Sequence, residues 1–143
     1  MGFGLPAAMG AQAAAPANDV WCVTGDGSFQ MNFQELITCV QEKWPVKVLL
    51  LDNAYLGMVR QWQQLFHDKR YFFVDITSPD YVMVAKGYGI PGQSVSERSK
   101  LRDALKAMLD HDGAYLLEVM VGKENNVFPM VPQGCSVAEI RLK

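Results

Sequence analysis

The sequence predicts an α/β fold of three layers, in which a mostly parallel sheet carries helices on both faces. Short aliphatic segments alternate along the chain with longer segments of helical periodicity, and this alternation is typical of strand–helix–strand units. With 143 residues, the chain is long enough for a single core that buries about two thirds of the unfolded surface. Half of the residues are hydrophobic and a fifth are charged, which is typical of folded rather than disordered chains.

Four segments have the character of buried strands. The most regular is the aliphatic run at residues 46–51, as expected of a strand that is covered on both faces. The turn Gly25-Asp26-Gly27 ends the first predicted strand, and Asp52-Asn53 ends the second. The four predicted strands are residues 20–24, 46–51, 90–95 and 115–121.

Helical periodicity and helix-start signals place helices between these strands. An Ala-rich helix is expected from near Leu5 to a point before Pro16. A second helix is expected to bury one apolar face, and Asn32 followed by Glu35 resembles the capping box that begins a helix. That apolar face consists of Phe29, Phe33, Leu36, Ile37 and Val40.

Three later segments are also predicted to be helical. One covers residues 55–66, and another begins at Ser78-Pro79-Asp80 and continues to about Lys86. The last is a charged helix with an apolar stripe that ends at residues 111–113. The stripe consists of Leu101, Leu105, Met108 and Leu109.

Composition excludes several classes of function. Lys and Arg total 13 against 15 Asp and Glu, so the net charge of −2 gives no electrostatic basis for binding nucleic acid. The longest apolar run is far shorter than the roughly 20 residues that span a bilayer, so no membrane partner is expected. The three cysteines are widely spaced and form no Cys-x-x-Cys pair, which favours reduced thiols and a cytoplasmic location.

The chain divides into a domain and a tail. Residues 1–124 contain the periodic segments and are predicted to form the binding domain. Residues 125–143 contain Pro129, Pro132 and Gly134 and have no periodicity, so they are predicted to form an extended carboxyl-terminal arm.

Two polar turns at predicted strand ends indicate a ligand site. Gly25-Asp26-Gly27-Ser28 follows the first strand, and open α/β sheets bind ligands where strands end. Asn53 follows the neighbouring strand, so an acid and an amide are expected at the same edge of the sheet. Mg²⁺ prefers oxygen ligands, and these two side chains, the carbonyl of Tyr55 and two phosphate oxygens would suit it. The sequence therefore predicts a magnesium and diphosphate site.

An alternative of another class rests on the start of the chain. The pattern Gly2-x-Gly4-x-x-Ala7, with Asp26 further on, is similar to a dinucleotide-binding fingerprint. That fingerprint needs a strand directly before its first glycine. A nucleotide-binding or interaction module remains the alternative, and helix-entry glycines are its simpler explanation.

The residues around the proposed site resemble a known family. Gly25-Asp26-Gly27 followed by Asn53 is similar to the thiamine-diphosphate motif of thiamin-dependent enzymes. Three separated blocks further resemble the large catalytic subunit of acetohydroxyacid synthase, also called acetolactate synthase. The blocks are MGFGLPAA at residues 1–8, GMVRQW at 57–62 and NVFPMVP at 126–132. The resemblance covers essentially the whole chain and implies the thiamine-diphosphate-binding fold of a pyrophosphate domain, truncated at its amino end.

The resemblance implies a role for ten residues. Asp26 and Asn53 would bind Mg²⁺ through their side chains and Tyr55 through its carbonyl. Five residues would contact thiamine diphosphate: Met1, Gly25, Gly27, Ser28 and Met58. Val59 and Trp62 would lie in the substrate channel. The catalytic glutamate of this family comes from the amino-terminal domain of a partner subunit, so no catalytic residue is expected in this chain.

The activity implied by the resemblance is that of acetolactate synthase. This enzyme decarboxylates pyruvate and joins the two-carbon unit to a second 2-keto acid in branched-chain amino acid biosynthesis. The resemblance also implies bound FAD, a homodimer or tetramer, a possible regulatory small subunit, and no turnover by this chain alone. Tyr55-Leu56-Gly57 recurs in glyoxylate carboligase, so that enzyme, or another thiamine-dependent decarboxylase, remains an alternative.

Overall fold

The protein folds around a four-stranded sheet in which every neighbouring pair of strands is parallel. The structure is a computed structural model that describes residues 1–142. The strands lie in the order β1-β2-β4-β3. They are β1 (Trp21–Gly25), β2 (Lys47–Asp52), β3 (Gly92–Val95) and β4 (Tyr115–Met120). The predicted parallel sheet is confirmed.

Helices connect the strands and cover the sheet. They are α1 (Gly4–Ala14), α2 (Asp26–Phe29), α3 (Leu36–Gln41), α4 (Gly57–Phe66), α5 (Tyr81–Gly87) and α6 (Arg98–Asp110). Two short 3₁₀ helices span Phe33–Glu35 and Val137–Glu139. No helix within residues 1–142 is both long enough and apolar enough to cross a membrane.

The two faces of the sheet pack against different helices, which confirms the three layers. One face places Cys22, Val48, Leu50 and Leu116 in a core that also contains buried residues of α1, α2, α3 and α5. On the other face, Leu117 and Val95 pack with Ala104 and Met108 of α6. Because side chains alternate along each strand, both faces of β4 are buried at Leu116 and Leu117.

The predicted helix over residues 29–40 is broken, which corrects the sequence prediction. The 3₁₀ turn at Phe33–Glu35 separates α2 from α3, and a 3₁₀ turn rotates the following residues out of phase with an α-helix. Ile37 is therefore 51% exposed, although the periodicity placed it on the buried face. Asn32 forms no capping bond in this turn, and its side chain donates to the carbonyl of Gly2 instead.

Other helix boundaries agree more closely with the sequence. Asp80 caps α5, since its carboxylate accepts a hydrogen bond of 2.8 Å from the main-chain N–H of Met83. The helix predicted from Tyr55 begins two residues later, at Gly57. Tyr55 instead forms an isolated antiparallel bridge with Asp75. Main-chain bonds to residues 74–76 thus hold this turn outside the helix.

The segment after β4 contains little regular structure and lies against α4. A main-chain bridge joins Met130 to Arg141, and the side chain of Gln61 in α4 contacts Val127. The division of the chain at residue 125 stays a prediction, because β4 ends at Met120 and the following segment already leaves the sheet there.

Truncation of the core residue Leu50 should destabilise the protein more than truncation of Ile37, which the sequence placed in the core and the structure leaves exposed. Leu50→Ala should lower the free energy of unfolding by about 2–5 kcal/mol, because Leu50 is fully buried between the sheet and its helices. Ile37→Ala should lower it by less than about 1 kcal/mol, since half of that side chain remains in water. Urea unfolding measures both changes in the free energy of unfolding. If the two variants lost the same amount, Ile37 would be as buried as Leu50 and the helix would not be broken.

Candidate functional site at the carboxyl edge of the sheet

A pocket of about 450 Å³ lies where β1 and β2 end. All three predicted metal ligands line it, namely Asp26, Asn53 and Tyr55. The five residues predicted to contact the cofactor also line it: Met1, Gly25, Gly27, Ser28 and Met58. The residues that were predicted to form one site come from three separate parts of the chain, and the fold brings them together.

The two residues predicted for the substrate channel lie at the edge of this pocket. Val59 lines the pocket and also a neighbouring cavity of about 440 Å³. Trp62 lines the neighbouring cavity and stacks against Phe66, with ring centroids 4.8 Å apart. Trp62 is thus one helical turn away from the pocket wall.

Asp26 joins the ends of the two strands. It is the first residue of α2, and the residue is 2% exposed. One oxygen accepts a hydrogen bond of 2.8 Å from the main-chain N–H of Gly27, and the other accepts one of 2.7 Å from Ala54. The Gly27 N–H therefore already has a partner within the protein.

The turn at residues 53–55 is held rigidly beneath the pocket. Asn53 Oδ1 accepts a hydrogen bond of 3.0 Å from the main-chain N–H of Tyr55. Ala54 has a φ of +56°, a left-handed conformation that alanine rarely adopts and that the surrounding hydrogen bonds must maintain. Its carbonyl accepts from Ile76 at 3.0 Å. Hydrogen bonds thus hold the turn through both the N–H and the carbonyl of Ala54.

Two buried acids that the sequence did not predict lie behind the site, outside the lining of the pocket. Asp52 is 1% exposed, and its Oδ1 accepts a hydrogen bond of 2.8 Å from Ala54, the same N–H that bonds Asp26. Glu118 of β4 is 8% exposed and lies on the same face of the sheet. A sequence signal existed for both, since each lies two residues from a core position of an aliphatic strand.

Burial raises the pKa of two of the acids at this edge of the sheet, Asp26 and Glu118. Desolvation, and then the neighbouring Asp52, raise the pKa of Asp26 from 3.8 to about 6, although the hydrogen bonds from Gly27 and Ala54 lower it in part. Burial also raises the pKa of Glu118. The ion pairs within residues 1–142 involve none of these three acids. A cation at the pocket would compensate the charge of Asp26, the one of the three acids that lines it.

The residues fit a divalent cation bound with a phosphate group. Within the described residues, no three His, Cys, Asp or Glu side chains are grouped to hold a metal. A cation would therefore depend on one carboxylate, the Asn53 amide, the Tyr55 carbonyl and oxygens of a ligand, and Mg²⁺ accepts such a mixed set.

Space for a phosphate depends on Gly27 and Ser28. A Cβ at Gly27 would lie 2.8 Å from Leu56 Cδ2 and 3.2 Å from Ile76 Cδ1, so the ends of these side chains would have to shift to admit it. Ser28 Oγ accepts a hydrogen bond of 2.9 Å from the main-chain N–H of Gly2. Its own hydroxyl proton is then free to be donated to an acceptor in the pocket.

The glycines at the start of the chain contact neighbouring parts of the protein. A Cβ at Gly4 would lie 3.5 Å from Cys22 Sγ and from Thr24, which is ordinary van der Waals contact, so this position faces β1 without requiring glycine. Gly2 has a φ of +73° and forms the turn that bonds Ser28. Neither observation requires a dinucleotide.

This fold and site define a class of protein. Residues 1–119 match the family described as "Thiamine pyrophosphate enzyme, C-terminal TPP binding domain". The match covers most of the chain, and the chain belongs to this family.

Its relatives include acetolactate synthases, which confirms the resemblance seen in the sequence. The chain is 51% identical over 144 residues to the acetolactate synthase isozyme 2 large subunit of Escherichia coli (strain K12), covering 100% of the chain and 26% of that relative. It is 44% identical over 142 residues to the acetolactate synthase large subunit of Pyropia yezoensis, covering 98% of the chain and 24% of the relative. The chain thus spans about a quarter of each.

A solved structure has the same fold. It is a thiamine diphosphate-dependent 4-hydroxybenzoylformate decarboxylase of Rhodococcus jostii RHA1. The TM-score is 0.79 at 34% sequence identity, and the match covers 85% of this chain and 23% of that one.

Replacement of Asp26 should change how stability depends on pH. A folded-state pKa of about 6, above the usual 3.8, means that the folded protein holds this proton more tightly than the unfolded chain. Without a cation, the free energy of unfolding should therefore fall as the pH rises from about 4 to about 6, by at most about 3 kcal/mol from this group. Asp26→Asn should flatten that profile in urea unfolding.

The exposed Asp103 of α6 provides the matched control for this measurement. Asp103→Asn should keep the pH profile of the unsubstituted protein. If Asp26→Asn also kept that slope, the burial of the Asp26 charge would not be its cause.

A methyl group at Gly27 should destabilise the folded protein, whereas the same change at Gly10 should stabilise it. Gly27→Ala should lower the free energy of unfolding by about 1 kcal/mol, because the side-chain ends of Leu56 and Ile76 must shift to admit the new Cβ. Gly10→Ala, at an open position inside α1, should raise it by up to about 1 kcal/mol. Thermal unfolding compares the two, and a stabilised Gly27→Ala protein would refute the tight wall.

Proposed function

We propose that this chain binds thiamine diphosphate and Mg²⁺ as the cofactor domain of an acetolactate synthase large subunit. One observation carries the proposal: the eight residues predicted for the cofactor and the metal line a single pocket. Family membership and the relatives at 44–51% identity support the same conclusion.

Each residue of the pocket has a distinct task in this proposal. Asp26 and Asn53 bind Mg²⁺ through their side-chain oxygens, and Tyr55 binds it through its carbonyl. The buried acid without an ion-pair partner supports this assignment, since a divalent cation offsets the charge that burial disfavours. Ser28 donates its hydroxyl to the diphosphate, and Gly25 and Gly27 leave room for it.

The remaining contacts surround the less polar part of the cofactor. Met1 and Met58 line the pocket and are 68% and 49% exposed, so both side chains are available to a ligand. When bound, thiamine diphosphate supplies the nucleophilic carbon that the decarboxylation of a 2-keto acid requires. The residues of this chain bind and orient it, while Val59 and Trp62 shape the access for the 2-keto acid.

The whole enzyme needs parts that lie outside this chain. The proposed reaction decarboxylates pyruvate and joins the two-carbon unit to a second 2-keto acid in branched-chain amino acid biosynthesis. The catalytic glutamate comes from the amino-terminal pyrimidine domain of a second subunit, in a homodimer or tetramer that also binds FAD and a regulatory small subunit. The enzyme is cytoplasmic, and this chain alone has no turnover.

A second candidate is another thiamine-dependent carboligase or decarboxylase, such as glyoxylate carboligase. The structural likeness to a 4-hydroxybenzoylformate decarboxylase supports this alternative. Product analysis distinguishes the two, because an acetolactate synthase forms acetolactate from pyruvate and a glyoxylate carboligase consumes glyoxylate.

Calorimetric titration tests the proposed cofactor. The longest natural polypeptide that contains this chain should bind thiamine diphosphate when Mg²⁺ is present. Asp26→Ala should weaken this binding by about a hundredfold or more, because it removes the only charged ligand of the proposed set. The exposed Asp103→Ala is the control and should leave the affinity unchanged.

Two outcomes would contradict the proposed function. Unchanged affinity in Asp26→Ala would exclude Asp26 as a ligand. Binding of NAD, with none of thiamine diphosphate, would favour the nucleotide-binding module instead.

A further inference from the structure

The side chain of Gln61 pairs with the main chain of Val127 as if it were a neighbouring strand. Gln61 lies in α4 and is 1% exposed. Its Nε2 donates to the carbonyl of Val127 at 2.9 Å, and its Oε1 accepts from the N–H of Val127 at 2.7 Å. Both main-chain groups of one residue are therefore satisfied by one buried amide.

This pair anchors a segment that has few other attachments. After β4, the N–H of Val121 bonds the carbonyl of Asp52, and the next main-chain to main-chain bond begins at Met130. Within the described chain, residues 122–129 depend on side chains for their position. Arg60, whose side chain is 3% exposed, also holds Glu124 by an ion pair, although the Glu124 side chain is 79% exposed.

The anchored segment forms one wall of the cofactor pocket. Asn125 and Val127 line the pocket, as does Gln61 itself. Val127 is 62% exposed, so packing alone does not hold it in place. The Gln61 amide is thus the buried contact that keeps this wall next to Met58 and Val59 of the same helix.

We propose that Gln61 is a positioning residue: its amide fixes residues 125–127 against the pocket and thereby slows the release of bound thiamine diphosphate. This inference rests on the proposed function for the identity of the ligand. The pairing itself is a property of the protein without ligand, and it is measured separately.

The same helix contains a matched control. Gln63 makes an equivalent pair with Phe72, in which Nε2 donates to the Phe72 carbonyl at 3.0 Å and Oε1 accepts from its N–H at 2.9 Å. Phe72 lies in the loop after α4 and does not line the cofactor pocket. Removal of the Gln63 amide costs two hydrogen bonds of the same kind, although Gln61 Nε2 also donates to Met130 Sδ at 3.0 Å. Gln61 holds the pocket wall and Gln63 does not.

Hydrogen exchange and ligand release together test the proposal in the longest natural polypeptide that contains this chain. Gln61→Ala should speed amide exchange at Val127 by about tenfold or more, the effect of two hydrogen bonds of ordinary net strength. It should also raise the release rate of thiamine diphosphate, measured by stopped flow with Mg²⁺, by about tenfold, while the association rate changes less than about twofold.

The control variant should separate these effects from a loss of helix stability. Gln63→Ala should speed exchange at Phe72 and leave the release rate unchanged. Gln61→Glu keeps the acceptor for the Val127 N–H and removes the donor, so it should give an intermediate release rate. If Gln61→Ala does not fold, Gln61→Glu provides the test.

Three results would overturn the proposal. The release rate could stay constant although Val127 exchanges faster, or Gln63→Ala could raise it as much as Gln61→Ala does. Val127 exchange could also be unchanged in Gln61→Ala, which would refute the pairing whether or not a ligand binds. If the unsubstituted protein exchanges as expected but does not bind thiamine diphosphate, the proposed function fails, and the release step fails with it.

Discussion

A single main-chain N–H connects the parts of this site. The N–H of Ala54 lies between a carboxylate oxygen of Asp26, at 2.7 Å, and one of Asp52, at 2.8 Å. It therefore holds the end of β1 against the turn that follows β2. Desolvation raises the pKa of Asp26 to about 6, so its ionised form is unfavourable without a counter-charge. The buried carboxylate of Asp26 therefore makes the pocket suitable for a cation.

The helix that borders the pocket stabilises neighbouring segments through its glutamines. Gln61 and Gln63 each provide a donor and an acceptor to one residue of an irregular segment, as a strand would. An amide is suited to this because it carries the same two groups as a peptide bond. Segments without regular secondary structure can then border a binding site and still have their polar groups satisfied.

The sequence predicted accurately the elements that depend on local patterns, and less accurately those that depend on contacts between distant parts of the chain. The strands were predicted to within about two residues at each end, because an aliphatic run between helices is buried in almost any parallel sheet. The prediction of one continuous apolar face from Phe29 to Val40 was wrong, because the 3₁₀ turn at Phe33–Glu35 changes the helical phase. Asp52 was interpreted as part of a turn, although it lies two residues after the core position Leu50 and is buried in the sheet.

The sequence by itself determined the parallel α/β layers, the turns that end the first two strands, and the identity of the residues at the proposed site. These follow from local periodicity and from the chemistry of neighbouring residues. Only the tertiary structure decided which acids are buried beside Asp26, that Trp62 lies outside the main pocket, and which glutamines hold the flanking segments. Such contacts join residues far apart in the chain, and no local pattern encodes their geometry.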